Sequence, residues 1–81
     1  MDAYDTPIEN LELSSATYDC IKQSNIETVG QIMEMNGWQL LSIPKLARSS
    51  CYELRQQLIR HGFMNAYEPV GPFAYVWFND A

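Results

Sequence analysis

Ala47, Cys51, Leu54 and Leu58 recur at steps of four, three and four. That is the spacing of one helical face, and it predicts a helix over 47–61. Arg48, Glu53 and Arg55 fall largely off the stripe. Gly62 suits the position just past the end, and His61 the last turn, where the helix dipole favours a cation over any role as a ligand. Three shorter apolar sets come earlier. Tyr18 and Ile21, with Ser14 as N-cap, predict a helix from 15 to about 24 that breaks at Asn25. Val29, Ile32 and Met33 predict a second, opened by Thr28 and Gln31 at capping-box spacing and stopped at Asn36-Gly37. Trp38, Leu40 and Leu41 are the packing residues of a third, short helix, capped by Asn36 with Gln39 and ended by Pro44. Trp38 is expected to pack over the second helix rather than to stand out as an anchor.

The ends read differently. Residues 1–6 are polar and expected to be loose. Residues 6–13 read as an extended lead-in whose Ile8, Leu11 and Leu13 can pack, with Pro7 discouraging an early helix. Beyond the last helix, Pro69, Gly71 and Pro72 punctuate a run, 73–78, of strand-prone residues without charge. Both faces of that run are apolar. It either folds back over the helices and enlarges the core, or offers Tyr75 and Trp77 to a partner or a second copy. The expected division is a flexible end (1–6), a helical domain (7–63) and an extension packed on it (64–81). The fold class is all-α: four helices in tandem helix-hairpin-helix topology, with an extended C-terminal aromatic segment.

Composition narrows the function. An 81-residue chain makes one domain, and one of that size buries only about 60% of its unfolded surface. With 47% apolar and 19% charged residues it has enough for one core and is not expected to be disordered. Its longest apolar run, 72–78, is far short of the roughly 20 residues a spanning helix needs, so no membrane association is expected. No basic n-region followed by an apolar h-region opens the sequence. Two cysteines fit a reduced, cytoplasmic protein better than a stapled secreted one. The net charge of −5 is unevenly spread. All five basic residues lie in 14–63, with only Asp19, Glu27, Glu34 and Glu53 beside them, so the middle is weakly positive and the flanks hold the remaining acids. The total therefore does not exclude nucleic acid, although a strong basic footprint is missing.

Longer stretches match a known family. Pro7-Ile8-Glu9-Asn10-Leu11-Glu12-Leu13-Ser14, Tyr18-Asp19-Cys20-Ile21-Lys22, Thr28-Val29-Gly30-Gln31-Ile32 and Leu40-Leu41-Ser42-Ile43-Pro44-Lys45-Leu46-Ala47-Arg48-Ser49-Ser50 resemble the C-terminal domain of the bacterial RNA polymerase alpha subunit. Glu53-Leu54 and the Gly62-Phe63 ending also fit, so the resemblance covers 7–63. It implies a domain without catalytic residues that docks into the minor groove of A/T-rich promoter DNA and meets the sigma factor or activators through other faces.

The departures fall on the DNA face. The resemblance implies a groove-reading arginine where this protein has Ala16, and a backbone-contacting asparagine where it has Asp19. It implies a glycine opening the last helix, here Ala47, and a lysine at Ser49. Cys20, Arg48, Ser50 and Glu53 match. A minor-groove arginine is drawn in by the groove's negative potential, and a carboxylate near phosphate is repelled. The expected function is thus a non-enzymatic transcription module working mainly through protein contacts with polymerase, sigma factor or a regulator. The alternative is a genuine DNA-binding domain using Cys20, Lys45, Arg48, Ser50, Glu53 and Arg55. Glu12 matches the main acid of the sigma-facing patch, while Asn10 stands where a second acid is usual.

Other side chains offer less chemistry. Arg48, Tyr52 and Arg55 share a helical face as either a basic-aromatic patch for phosphate or an acidic partner, or a solvated surface. Cys20 and Cys51 are expected to be reduced, partly buried residues rather than a redox switch. Glu9 and Glu12 have no evident cleft for acid-base work. No Cys/His spacing fits a metal, and no cofactor is expected.

Overall fold

The computed structural model describes residues 3–65 and 71–73. Three of its four helices begin where a polar side chain takes up an end N–H. The helix α1, Ser15–Gln23, starts behind Ser14. The helix α2, Val29–Met33, opens on a reciprocal box: Thr28 N–H donates to Gln31 Oε1 at 3.0 Å and Gln31 N–H to Thr28 Oγ1 at 3.3 Å. The helix α3, Gly37–Leu41, repeats the device with Asn36 and Gln39, both bonds at 2.8 Å. Helices of five residues do not hold alone in water; caps and burial hold these two. The long helix α4, Arg48–Arg60, starts after Ala47, which offers no side-chain cap.

The four helices stand where the apolar spacing predicts them, with shifts at the ends. Helix α2 ends at Met33, with Glu34 as C-cap, rather than running to Asn36-Gly37, because Asn36 is committed to capping α3. Ala47 is exposed and extended, so the buried stripe of α4 is Cys51, Leu54 and Leu58. His61 is the C-cap, one residue past the last turn.

The lead-in is not extended. Ile8–Leu11 form a 3-10 helix that buries both Ile8 and Leu11. Residues three apart face opposite sides of a strand but the same side of a 3-10 turn, so only the turn puts both into the core. An antiparallel bridge between Pro7 and Thr28 fixes where it starts: Ile8 N–H donates to the Glu27 carbonyl at 3.0 Å and Val29 N–H to the Thr6 carbonyl at 2.9 Å. Another 3-10 turn, Ala3–Asp5, packs on α2. A Cβ at Gly30 would stand 2.9 Å from the Tyr4 carbonyl, so this close approach uses the glycine.

Helix α3 corrects a second expectation. Trp38 is 73% exposed and Leu41 42%, while Leu40 is fully buried. A helix of five residues can turn only one side to the core. Here that side holds Gly37 and Leu40, three apart, which leaves Trp38 and Leu41, also three apart, on another.

The core joins Ile8, Leu11, Ile21, Val29, Ile32, Leu40, Leu54 and Leu58, with α1 packed on α4 and the Ile8–Leu11 turn beside α4. The short 3-10 turn Gly71–Phe73 closes the far side against α2 and α3, burying Pro72 and Phe73. Gly71 has φ +57, and a Cβ there would meet the Met33 carbonyl at 2.8 Å. Tyr75 and Trp77, with the rest of 74–81, lie outside the described residues.

Candidate nucleic-acid and protein interface

The surface to which most of the sequence-derived candidates belong is built from the start of α1, the turn between α3 and α4, and the start of α4. Ala16 and Asp19 are exposed on α1, and Cys20 beside them is half-buried. The Cys20 thiol donates to the Lys45 carbonyl at 3.5 Å, tying α1 to the turn. Lys45 itself is exposed and left-handed, with φ +65. Arg48 is exposed on the first turn of α4, and Ser50 is half-buried. Arg48, Tyr52 and Arg55 share one side of α4 by their spacing, with Tyr52 and Arg55 half-buried.

Glu53 is placed differently from its neighbours. Its carboxylate accepts from the Ser14 N–H, from Ser14 Oγ at 2.8 Å and from Thr17 Oγ1 at 2.7 Å. Burial pushes the carboxyl upward, but these three donors outweigh it and hold its pKa below the ordinary value of 4.5. A depressed carboxylate adds stability above its unfolded pKa and loses it as pH falls through the lower folded value. Melting temperatures measured from pH 7 down to pH 3 should therefore fall more steeply for the wild type than for Glu53→Gln, which cannot titrate. Parallel curves would exclude the assignment.

Glu12 lies at the end of the Ile8–Leu11 turn, exposed and left-handed at φ +59. Gln57 of α4 donates Nε2–H to the Leu11 carbonyl at 2.7 Å and to the Glu12 carbonyl at 3.3 Å. It thus fixes the backbone from which the Glu12 side chain projects. Gln57 carries no motif that would have marked it. The same holds for the network around Lys22: the Tyr18 hydroxyl donates to Glu9 at 2.7 Å, and Lys22 bridges Glu9 at 3.2 Å and Glu27. The Tyr18 hydroxyl first, then a backbone hydrogen bond at Glu9 and then Lys22 hold the Glu9 pKa low, and Glu27 and Glu9 raise that of Lys22. This exposed cluster ties the lead-in turn to α1 and to the start of α2.

Neither cysteine is in a disulfide. Cys51 is fully buried, and burial pushes its thiol up to about 11, so it stays protonated at neutral pH. Among the described residues no three His, Cys, Asp or Glu gather as metal ligands, and no helix is long and apolar enough to cross a membrane. An open groove of about 380 Å³ runs between the α1–α2 and α3–α4 turns, lined by residues such as Asn25, Ile26, Gln31, Met35, Gln39 and Ile43. None of the described residues lining it has an ionisable side chain.

Residues 1–60 match the family described as the C-terminal domain of the bacterial RNA polymerase alpha chain. The DNA-directed RNA polymerase subunit alpha of Roseiflexus sp. (strain RS-1) is 48% identical over 63 residues, covering 78% of this protein and 20% of that subunit. The same subunit of Herpetosiphon aurantiacus is 42% identical over 72 residues, 89% of this protein and 20% of the relative. That of Thermotoga petrophila is 33% identical over 58 residues, 72% and 17% respectively. The protein thus spans about a fifth of the length of these curated relatives.

Proposed function

Because the protein belongs to the family of bacterial RNA polymerase alpha C-terminal domains, we propose that it is a non-enzymatic transcription module whose work is done mainly through protein contacts, with a weakened hold on promoter DNA. The observation that carries this is the exposure of Ala16 and Asp19 on α1. At the positions where the family resemblance implies a groove-reading arginine and a backbone-contacting asparagine, this surface presents a methyl and a carboxylate. The first removes the strongest attraction to a narrow minor groove, and the second repels phosphate. The exposed Glu12, on a backbone held by Gln57, supports an interface with a basic protein surface. The 73% exposure of Trp38 adds an aromatic side chain of the kind enriched at protein interfaces. Tyr75 and Trp77 remain candidates for a partner or a second copy.

The second reading is promoter binding in its own right. It is favoured by the exposed Lys45, in the turn that the Cys20 thiol ties to α1, and by the exposed Arg48 that opens α4 just after it. A backbone NMR titration with a short A/T-rich duplex separates the two. The adapter reading expects shifts at 16–20 and 47–50 only at low salt, vanishing at physiological salt. Saturable shifts that persist at physiological salt would overturn it and establish the DNA-binding domain.

A further inference from the structure

We propose that Glu53 is the positioning residue of this surface: through Ser14 and Thr17 it sets the first turn of α1 against α4 and contacts no ligand itself. The inference deepens the reading of the α1 and α4 surface as ligand-facing, and rests on that reading for its consequence.

The family resemblance groups Glu53 with Cys20, Arg48 and Ser50 as a ligand-facing side chain. The geometry turns it inward. One oxygen takes the Ser14 N–H, and the other takes the Ser14 and Thr17 hydroxyls. Thr17 is 1% exposed, so its hydroxyl has no water to turn to and needs a protein acceptor. Helix α1 also has a weak cap of its own: the Ser14 Oγ accepts the Thr17 N–H at 3.5 Å, the outer limit for such a bond. Glu53 takes up donors at the start of α1 from 36 and 39 residues away in sequence. Between the exposed part of α1 and the α3–α4 turn, the Cys20 thiol bond at 3.5 Å is a weak link. Glu53 is therefore a strong polar tie between the start of α1 and α4, and so between Ala16, Asp19 and Cys20 on one side and Arg48 and Ser50 on the other.

Side-chain chemistry separates position from charge. In Glu53→Gln the amide oxygen can take the Ser14 N–H while the NH₂ donates to the Thr17 hydroxyl, which turns its own proton to Ser14 Oγ, 3.1 Å away. The tie survives and the charge is gone. Glu53→Asp keeps the charge but is one methylene short of the donors. Glu53→Ala removes both.

The experiment records backbone amide shifts of 14–20 in all four proteins, then repeats the duplex titration at low salt. Positioning expects Glu53→Gln to keep the wild-type shifts and a duplex response at least equal to wild type. It expects Glu53→Asp and Glu53→Ala to move the 14–20 signals and weaken that response several-fold. If Glu53→Ala fails to fold, the Asp and Gln variants decide alone. The proposal is overturned if 14–20 stay in place in Glu53→Asp, or if Gln and Ala strengthen the response equally while Asp matches wild type, which is the pattern of charge alone. If the wild type gives no duplex response at any salt, the DNA reading of the surface fails. The 14–20 shifts, with rescue by Gln, still judge the tie.

Discussion

Ala16→Arg combined with Asp19→Asn is expected to raise affinity for an A/T-rich duplex about 10- to 100-fold at low salt, a gain of roughly 1.4–2.8 kcal/mol. Both sites are exposed on α1, so neither change disturbs the core. A charge-assisted hydrogen bond contributes about 1.5–3 kcal/mol, and an arginine in a narrow minor groove gains from the groove potential as well. Replacing Asp19 by Asn removes a full negative charge from beside the phosphates at little cost in shape. The salt dependence supplies an internal control. Each added phosphate neutralisation steepens the slope of log K against log salt by about 0.9. Fluorescence anisotropy at several salt concentrations should show both the gain and the steeper slope. An unchanged affinity would mean that the start of α1 does not face DNA in this protein, and that the family's docking geometry does not carry over.

Leu54→Ala is expected to destabilise the domain by about 3–5 kcal/mol, lowering Tm by roughly 12 °C or more. Leu54 is fully buried in the stripe of α4 that packs on α1 and the Ile8–Leu11 turn. Removing it strips apolar contacts from that shared core, and a protein this small has little stability in reserve. Trp38→Ala is the matching control. The larger side chain is mostly in water, so its loss is expected to change stability by less than about 0.5 kcal/mol. Calorimetry of the two variants compares them directly. A Tm for Leu54→Ala within a few degrees of wild type would mean that α4 is not the centre of the core.

Sequence spacing makes some of the surface legible and hides the rest. The groove-facing candidates can be read because they sit within short, recognisable runs: Cys20 next to Ile21, and Lys45 to Ser50 in one turn and helix start. Glu53 can be read as a member of the surface but not as its tie, because its partners lie 36 and 39 residues away. Gln57 is invisible for the same reason: its work is done on the carbonyls of Leu11 and Glu12.

The features legible without the fold are local ones. Thr28 with Gln31, and Asn36 with Gln39, mark two helix starts because a side chain three residues away reaches the end N–H groups without help from the rest of the molecule. The recurrence of Cys51, Leu54 and Leu58 likewise identifies the buried face of α4, since a helix of thirteen residues is long enough for its period to show. Packing between distant segments settles the remainder. Four apolar or small residues in five on α3 leave no period to read, so which of them meet the core depends on what packs beside them, and that buries Gly37 and Leu40 and leaves Trp38 exposed. The lead-in becomes a 3-10 turn because the bridge from Pro7 to Thr28 and the burial of Ile8 and Leu11 together outweigh any extended preference. A short apolar segment has more than one way to hide its residues, and the neighbours that choose among them come from elsewhere in the sequence.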